Sequence, residues 1–259
     1  MSDPRIALTW EGPVALVTIY RPEKLNALDL DMLEALDDVC AEIEGDHRAR
    51  AAVITGEGKA FSTGGDIAAW AAMTPPEFGF EWVRFGHRVF ARLAELRVPL
   101  IAALTGHALG GGLELAASAD IRIAEPQATL GMPETGLGMV PGWSGTQRLV
   151  RRFGAQNVRR MVLGGEIFSA EEARALGLVD QLTETGGAFA GAMSYAERVA
   201  SRGPAALQVA KLMIASADGE DTGTAMETIA SMLIAKTADL SEGVAAFKGK
   251  RKPTFNGEW

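Results

Sequence analysis

Gly106-His107-Ala108-Leu109-Gly110-Gly111-Gly112-Leu113-Glu114 follows an unbroken apolar run, Leu100–Leu104, and leads into Leu113–Ser118, a segment of helical character. A buried strand, a glycine cluster and a helix start, in that order, are the parts of an α/β chain. The same parts occur earlier, where the apolar run Ala51–Thr55 precedes the glycine-rich stretch Gly56–Asp66, which contains Phe61-Ser62-Thr63-Gly64-Gly65-Asp66. Glycine-rich backbone at a helix start leaves amide N–H groups free and lets a ligand approach closely. Each cluster alone also reads as a tight turn. Two such amides converging on one oxygen make an oxyanion hole.

Outward from these two stretches the pattern is regular. Ile6–Trp10 and Val14–Tyr20 flank Glu11-Gly12-Pro13 and predict a hairpin. Leu30, Leu33, Leu36, Val39, Cys40 and Ile43 recur at helical spacing, with Gly45 as the stop. A further helix is expected over Glu77–Leu96, and short strands over Ile121–Ala124 and Thr129–Leu130. Ser169-Ala170-Glu171-Glu172 is a capping-box signature closed by Gly177. Beyond Gly187 every periodic segment is helical, over about 189–202, 204–216, 222–236 and 241–248. The expected organisation is an α/β core over 1–187 and a helical region over 188–259.

Two glutamates stand in apolar surroundings. Glu114 lies between Leu113 and Leu115, and Glu134 follows Leu130-Gly131-Met132-Pro133. A solvated helix face is the plain alternative for Glu114, but those neighbours leave little room for one. Carboxyls buried this way have separated pKa values, which gives a proton donor and an acceptor near neutral pH. Other chemistries lack their parts. Gly136-Leu137-Gly138-Met139-Val140-Pro141 carries proline where a dinucleotide fingerprint needs its third glycine. No glycine loop ends in Gly-Lys-Ser/Thr, and Gly142-Trp143-Ser144-Gly145 brings its second glycine one position early for a nucleophile elbow. The three histidines are too dispersed for a zinc helix, so no metal is expected. Net charge is −8, which disfavours nucleic acid and anionic membranes. The lone Cys40 fits a core thiol in a reducing compartment, and no apolar run reaches membrane-spanning length. With no leader-like stretch at the N-terminus, the reading is cytoplasmic.

The chain resembles the enoyl-CoA hydratase/isomerase, or crotonase, superfamily in a collinear series of motifs. They include Arg21–Leu28, Ala60–Asp66, Gly110–Ala116, Pro133-Glu134, Gly138–Gly142, Gly145–Leu149, Ala173–Asp180 and Phe247–Pro253. The resemblance implies a spiral of ββα turns with a helical C-terminal trimerisation region, as a homotrimer or a dimer of trimers. It implies hydration of a trans-2-enoyl-CoA, with coenzyme A entering as part of the substrate and no separate cofactor. The oxyanion amides fall at Gly65 and Gly111. Glu114 matches the residue that deprotonates water, and Glu134 the one that protonates C2; the Gly142 amide is placed to hold that water. Lys24, Leu25, Ala27, Ala60, Asp66 and Ile67 match substrate-binding positions. Lys250, Arg251 and Lys252 are either phosphate contacts or a solvated basic tail. Trp143 departs from the small residue common there and is expected to reshape the acyl pocket. The enzymatic alternative is double-bond isomerisation through Glu134, or another acyl-CoA reaction on this fold. A non-catalytic or RNA-binding relative is disfavoured by the retained glutamate pair.

Overall fold

The computed structural model describes residues 3–220 and 222–257. Strands β1 (Ile6–Glu11) and β2 (Val14–Ile19) form the expected antiparallel hairpin. The chain then alternates between two sheets. β3 (Ala51–Gly56), β5 (Leu100–Leu104), β7 (Ile121–Ala124) and β10 (Gln181–Leu182) extend the hairpin as parallel neighbours in the order β1-β2-β3-β5-β7-β10. β4 (Ala60–Ser62), β6 (His107–Leu109), β8 (Thr129–Gly131) and β9 (Ile167–Ser169) form a second sheet in that order. Each turn of the chain thus lays one strand in each sheet before a helix returns it, which is a ββα spiral. β4, β6 and β8 run parallel, so their C-terminal ends leave the sheet along one edge.

The elements form for local reasons. The Leu30–Gly45 helix is capped by Asp29, whose carboxylate accepts the Met32 N–H, worth about 1 kcal/mol. Its apolar stripe, including Leu33, Leu36, Cys40 and Ile43, is fully buried. Burial pushes the Cys40 thiol up to about 12, so it stays protonated and serves as packing. β3 and β5 are buried along their whole length, which explains their unbroken apolar sequences. The Ser169–Glu172 capping box is present, and Gly177 adopts φ +79° after that helix.

The Glu77–Leu96 region departs from a single α-helix. A short helix over Pro75–Glu77 passes into a π-helical segment, Phe78–Val83, before α geometry holds over Arg84–Glu95. The wider π turn is of a kind that concentrates at functional sites, and here it carries Phe78, Trp82 and Val83.

The chain divides into two compact units after Gln208. The first includes the Ala188–Ala200 helix, which the sequence reading assigned to the C-terminal region; it packs on β3, β5 and β7. The second unit contains the Thr222–Ile234 and Ala238–Lys248 helices. Within it Met226, Met232, Leu233, Val244 and Phe247 are exposed. Among the described residues no helix is long and apolar enough to cross a membrane.

Candidate active site

The site forms where β4, β6 and β8 end. Gly64-Gly65 follow β4, Gly110-Gly111 follow β6, and Met132-Pro133-Glu134 follow β8. Gly110 turns with φ +54°, a conformation that suits glycine, and starts the Gly111–Ala116 helix. A Cβ on Gly64 would lie 2.6 Å from the Gly111 nitrogen, so the two glycine clusters are in direct backbone contact. The N–H groups of Gly65 and Gly111 have no acceptor among the described residues, and both residues line one cavity of about 200 Å³. The helix start adds its partial positive charge beside Gly111.

Glu114 and Glu134 line the same cavity. Glu114, one helical turn past Gly110, is 2% exposed. Its Oε1 accepts the Trp143 N–H at 2.7 Å and the Gly145 N–H at 2.5 Å. Burial, and then the neighbouring Glu134 carboxylate, lift Glu114 to about 8, against the downward pull of those two amides and of Arg148. Burial also raises Glu134, and its Oε2 is buried without a hydrogen-bond partner. A buried orphan oxygen is costly unless something else supplies its partner. The two carboxyls therefore share protons rather than ionising together. The microstate with its charge on Glu114 is the one in which the two N–H donors face a carboxylate.

The remaining cavity wall is apolar. Trp70, Phe78, Trp82 and Trp143 contribute aromatic surface, with Ile67, Val83, Leu137, Met139, Val140 and the Pro133 and Pro141 rings. Trp143 is buried, its ring centroid 5.1 Å from those of both Trp82 and Phe90. The indole lies against Gly65 and Gly111: a Cβ on Gly111 would come within 2.7 Å of it, and one on Gly65 within 3.4 Å.

The structure gathers seven of the twelve sequence-identified residues on the cavity: Gly65, Ile67, Gly111, Glu114, Glu134, Gly142 and Trp143. Lys24, Leu25, Ala27 and Asp66 lie outside its lining. Lys24 Nζ is held 2.7 Å from Asp66, which also pairs with Arg21 at 2.9 Å. Leu25 is exposed, while Ala27 is buried. Ala60 is fully buried in β4, and its carbonyl accepts the Asn26 side chain, so no side-chain surface is left for a ligand. Arg251 pairs with Glu242, and Lys250 and Lys252 are exposed. Sequence reasoning missed the Trp143 and Gly145 amides as the partners of Glu114, having singled out the Gly142 amide. It also missed the wall made by Trp70, Phe78 and Trp82. A usable signal was Gly86, a helix-weakening residue inside an otherwise good helical pattern.

Comparison with known proteins agrees with this geometry. The model of the enoyl-CoA hydratase/isomerase family matches residues 9–258. The chain belongs to that family. It is 40% identical over 250 residues to the short-chain-enoyl-CoA hydratase of Clostridium acetobutylicum, covering 95% of each chain. It is 36% identical to the crotonyl-CoA hydratase of Syntrophomonas wolfei, over 98% of this chain and 99% of that one. The crystal structure of an enoyl-CoA hydratase from Bacillus anthracis superposes with a TM-score of 0.81 at 35% identity, over 98% of this chain and all of that one. The ββα spiral is therefore the crotonase fold.

Proposed function

We infer that this family member is an enoyl-CoA hydratase, adding water reversibly across a trans-2-enoyl-CoA to give a 3-hydroxyacyl-CoA. The observation that carries the reading is the pair Glu114 and Glu134 on one cavity with two unpartnered amides. Glu114 takes a proton from water, whose oxygen bonds to C3. The C2–C3 π electrons move toward the thioester oxygen, where the Gly65 and Gly111 N–H groups stabilise the enolate-like charge. Each such donor is typically worth about 2.7–4 kcal/mol of barrier. Glu134 then delivers its proton to C2, which leaves Glu114 protonated and Glu134 ionised. Proton exchange resets the pair.

The substrate's acyl end is uncharged in this reading. Among the described residues no Lys, Arg or His lines the cavity, so a second carboxylate would be desolvated beside two glutamates with no counter-charge from them. Lys24, Leu25, Ala27, Asp66 and Ile67 flank the coenzyme A path. Exposed Met226, Met232, Leu233 and Val244 support assembly as a trimer or dimer of trimers. The lone, buried Cys40 fits a cytoplasmic enzyme.

The test follows the conjugated absorbance of trans-2-butenoyl-CoA mixed with the purified chain. Its loss, with 3-hydroxybutanoyl-CoA formed, is expected. Turnover of a 3-enoyl-CoA to the 2-enoyl isomer without hydration would overturn the reading in favour of isomerisation.

A further inference from the structure

Two adjacent residues of the Arg84–Glu95 helix meet two adjacent residues of the loop that holds Glu114. Gly86 faces the Trp143 indole so closely that a Cβ there would lie 2.3 Å from Nε1. The same indole N–H donates to the Trp82 carbonyl at 3.4 Å. One position on, His87 Nδ1 lies 3.2 Å from the Ser144 hydroxyl. Ser144 is 4% exposed and has φ +85°, a left-handed backbone that non-glycine residues seldom adopt. It sits between the two residues, Trp143 and Gly145, whose N–H groups converge on Glu114 Oε1. The N–H groups on either side of Ser144 reach one oxygen with the residue in this left-handed turn. Glycine would take it freely; serine needs something to hold it there.

We propose that Gly86-His87 is a positioning latch for the catalytic base: His87 holds Ser144 in its left-handed turn while Gly86 seats the Trp143 indole. Together they present the Trp143 and Gly145 amides to Glu114. His87 acts through Ser144 and touches no reacting atom. Burial, and then Arg148, keep the imidazole below its ordinary pKa, so it meets the hydroxyl as a neutral ring. The inference rests on the reading of Glu114 as the base.

The test uses steady-state kinetics on the full chain with trans-2-butenoyl-CoA. His87→Ala and Ser144→Ala should each lower kcat by about 10–100-fold, the scale of a small misplacement of a catalytic group. KM should change by less than about twofold, because the oxyanion and coenzyme A contacts are untouched. The acid limb of the kcat profile should move to higher pH. Looser amides favour the Glu114 carboxylate less against Glu134, leaving Arg148 as its remaining support. Ser144→Gly should stay near full activity, because glycine adopts the turn unaided, and His87→Ala/Ser144→Gly should regain most of the lost kcat. Full kcat in His87→Ala and Ser144→Ala, or no rescue in the double variant, overturns the latch. Should His87→Ala not fold, Ser144→Ala beside Ser144→Gly decides alone. A fully active Glu114→Gln would instead sink the base assignment, whereas an inactive Glu114→Gln beside a fully active His87→Ala sinks only the latch.

Discussion

The two sides of the cavity treat their carboxyls differently. On the side of the 141–145 loop, Glu114 is fully enclosed and gripped by two backbone amides. On the side where β8 ends, Glu134 leaves one oxygen buried and unpartnered. A held carboxylate suits a base that must aim a water molecule, since its lone pairs are fixed by the donors opposite. A carboxyl with a spare oxygen suits a group that hands a proton to carbon and takes it back. The contrast divides the labour more clearly than proximity to the cavity alone.

The largest effect that could break this division is on turnover. Glu114→Gln should lower the hydration rate by about 10²–10⁴-fold, the usual worth of general-base assistance. Thioester binding and solvent exchange at C2 should survive, as measured by ligand titration and deuterium incorporation. Glu134→Gln should abolish the C2 exchange. An isomerase would reverse the ranking, with Glu134→Gln fatal and Glu114→Gln tolerated.

Next in size is Trp143→Ala. Deleting a buried tryptophan typically costs about 3–5 kcal/mol, visible as a lower urea midpoint. The enlarged cavity should shift the preferred acyl chain to longer members of a trans-2-enoyl-CoA series. An unchanged chain-length profile would show that the indole is no boundary of the acyl site.

The electrostatic coupling gives a subtler test. Glu134 is the second cause of the raised Glu114 pKa, after burial. Turnover needs one proton on the pair, so kcat for the native enzyme should fall as pH rises through about 8, where Glu114 ionises beside an already charged Glu134. Glu134→Gln removes the like charge, so the fall near 8 should vanish and the residual activity should rise with Glu114 ionisation at a lower pH.

The smallest effect is on stability. Because Glu114 titrates at about 8 in the fold and at its ordinary 4.5 when unfolded, the native state binds more protons between those values. Stability from this group is thus greatest below the lower value and declines as pH rises through the window. Glu114→Gln removes the decline. Its Tm advantage over the native enzyme should grow from pH 5 to pH 8, and about 2–4 °C corresponds to each kcal/mol recovered at this size.

Much of this was legible in the sequence because the large sheet leaves long apolar runs. β2, β3 and β5 and the Leu30–Gly45 helix each bury enough surface to impose a period or an unbroken stretch. The small sheet that carries the site does not. β4, β6 and β9 have three residues each, too few to show alternation, and β4 and β6 read as glycine-rich loops. The helices Arg148–Phe153 and Ala155–Gly164 also went unassigned. Glu114 and Glu134 stood out because charge among apolar neighbours is a local signal. The amides of Trp143 and Gly145 gave none, since any residue has an N–H and only the fold says where it points.

The tryptophan packing has a consequence for how this sequence can change. A Cβ on Gly86 or Gly111 would collide with Trp143, and one on Gly65 with Trp82 at 2.7 Å. The proposed oxyanion role asks position 65 only for a backbone N–H, so alanine there is chemically acceptable, yet this chain forbids it sterically. The constraint belongs to the neighbour rather than to the reaction. Three glycines and two indoles are therefore mutually dependent: a lone glycine-to-alanine step is closed until the ring beside it has shrunk, and shrinking a ring first opens a void. Substitutions that look harmless when borrowed from a relative with small residues at these positions should fail singly here and succeed only in the right order.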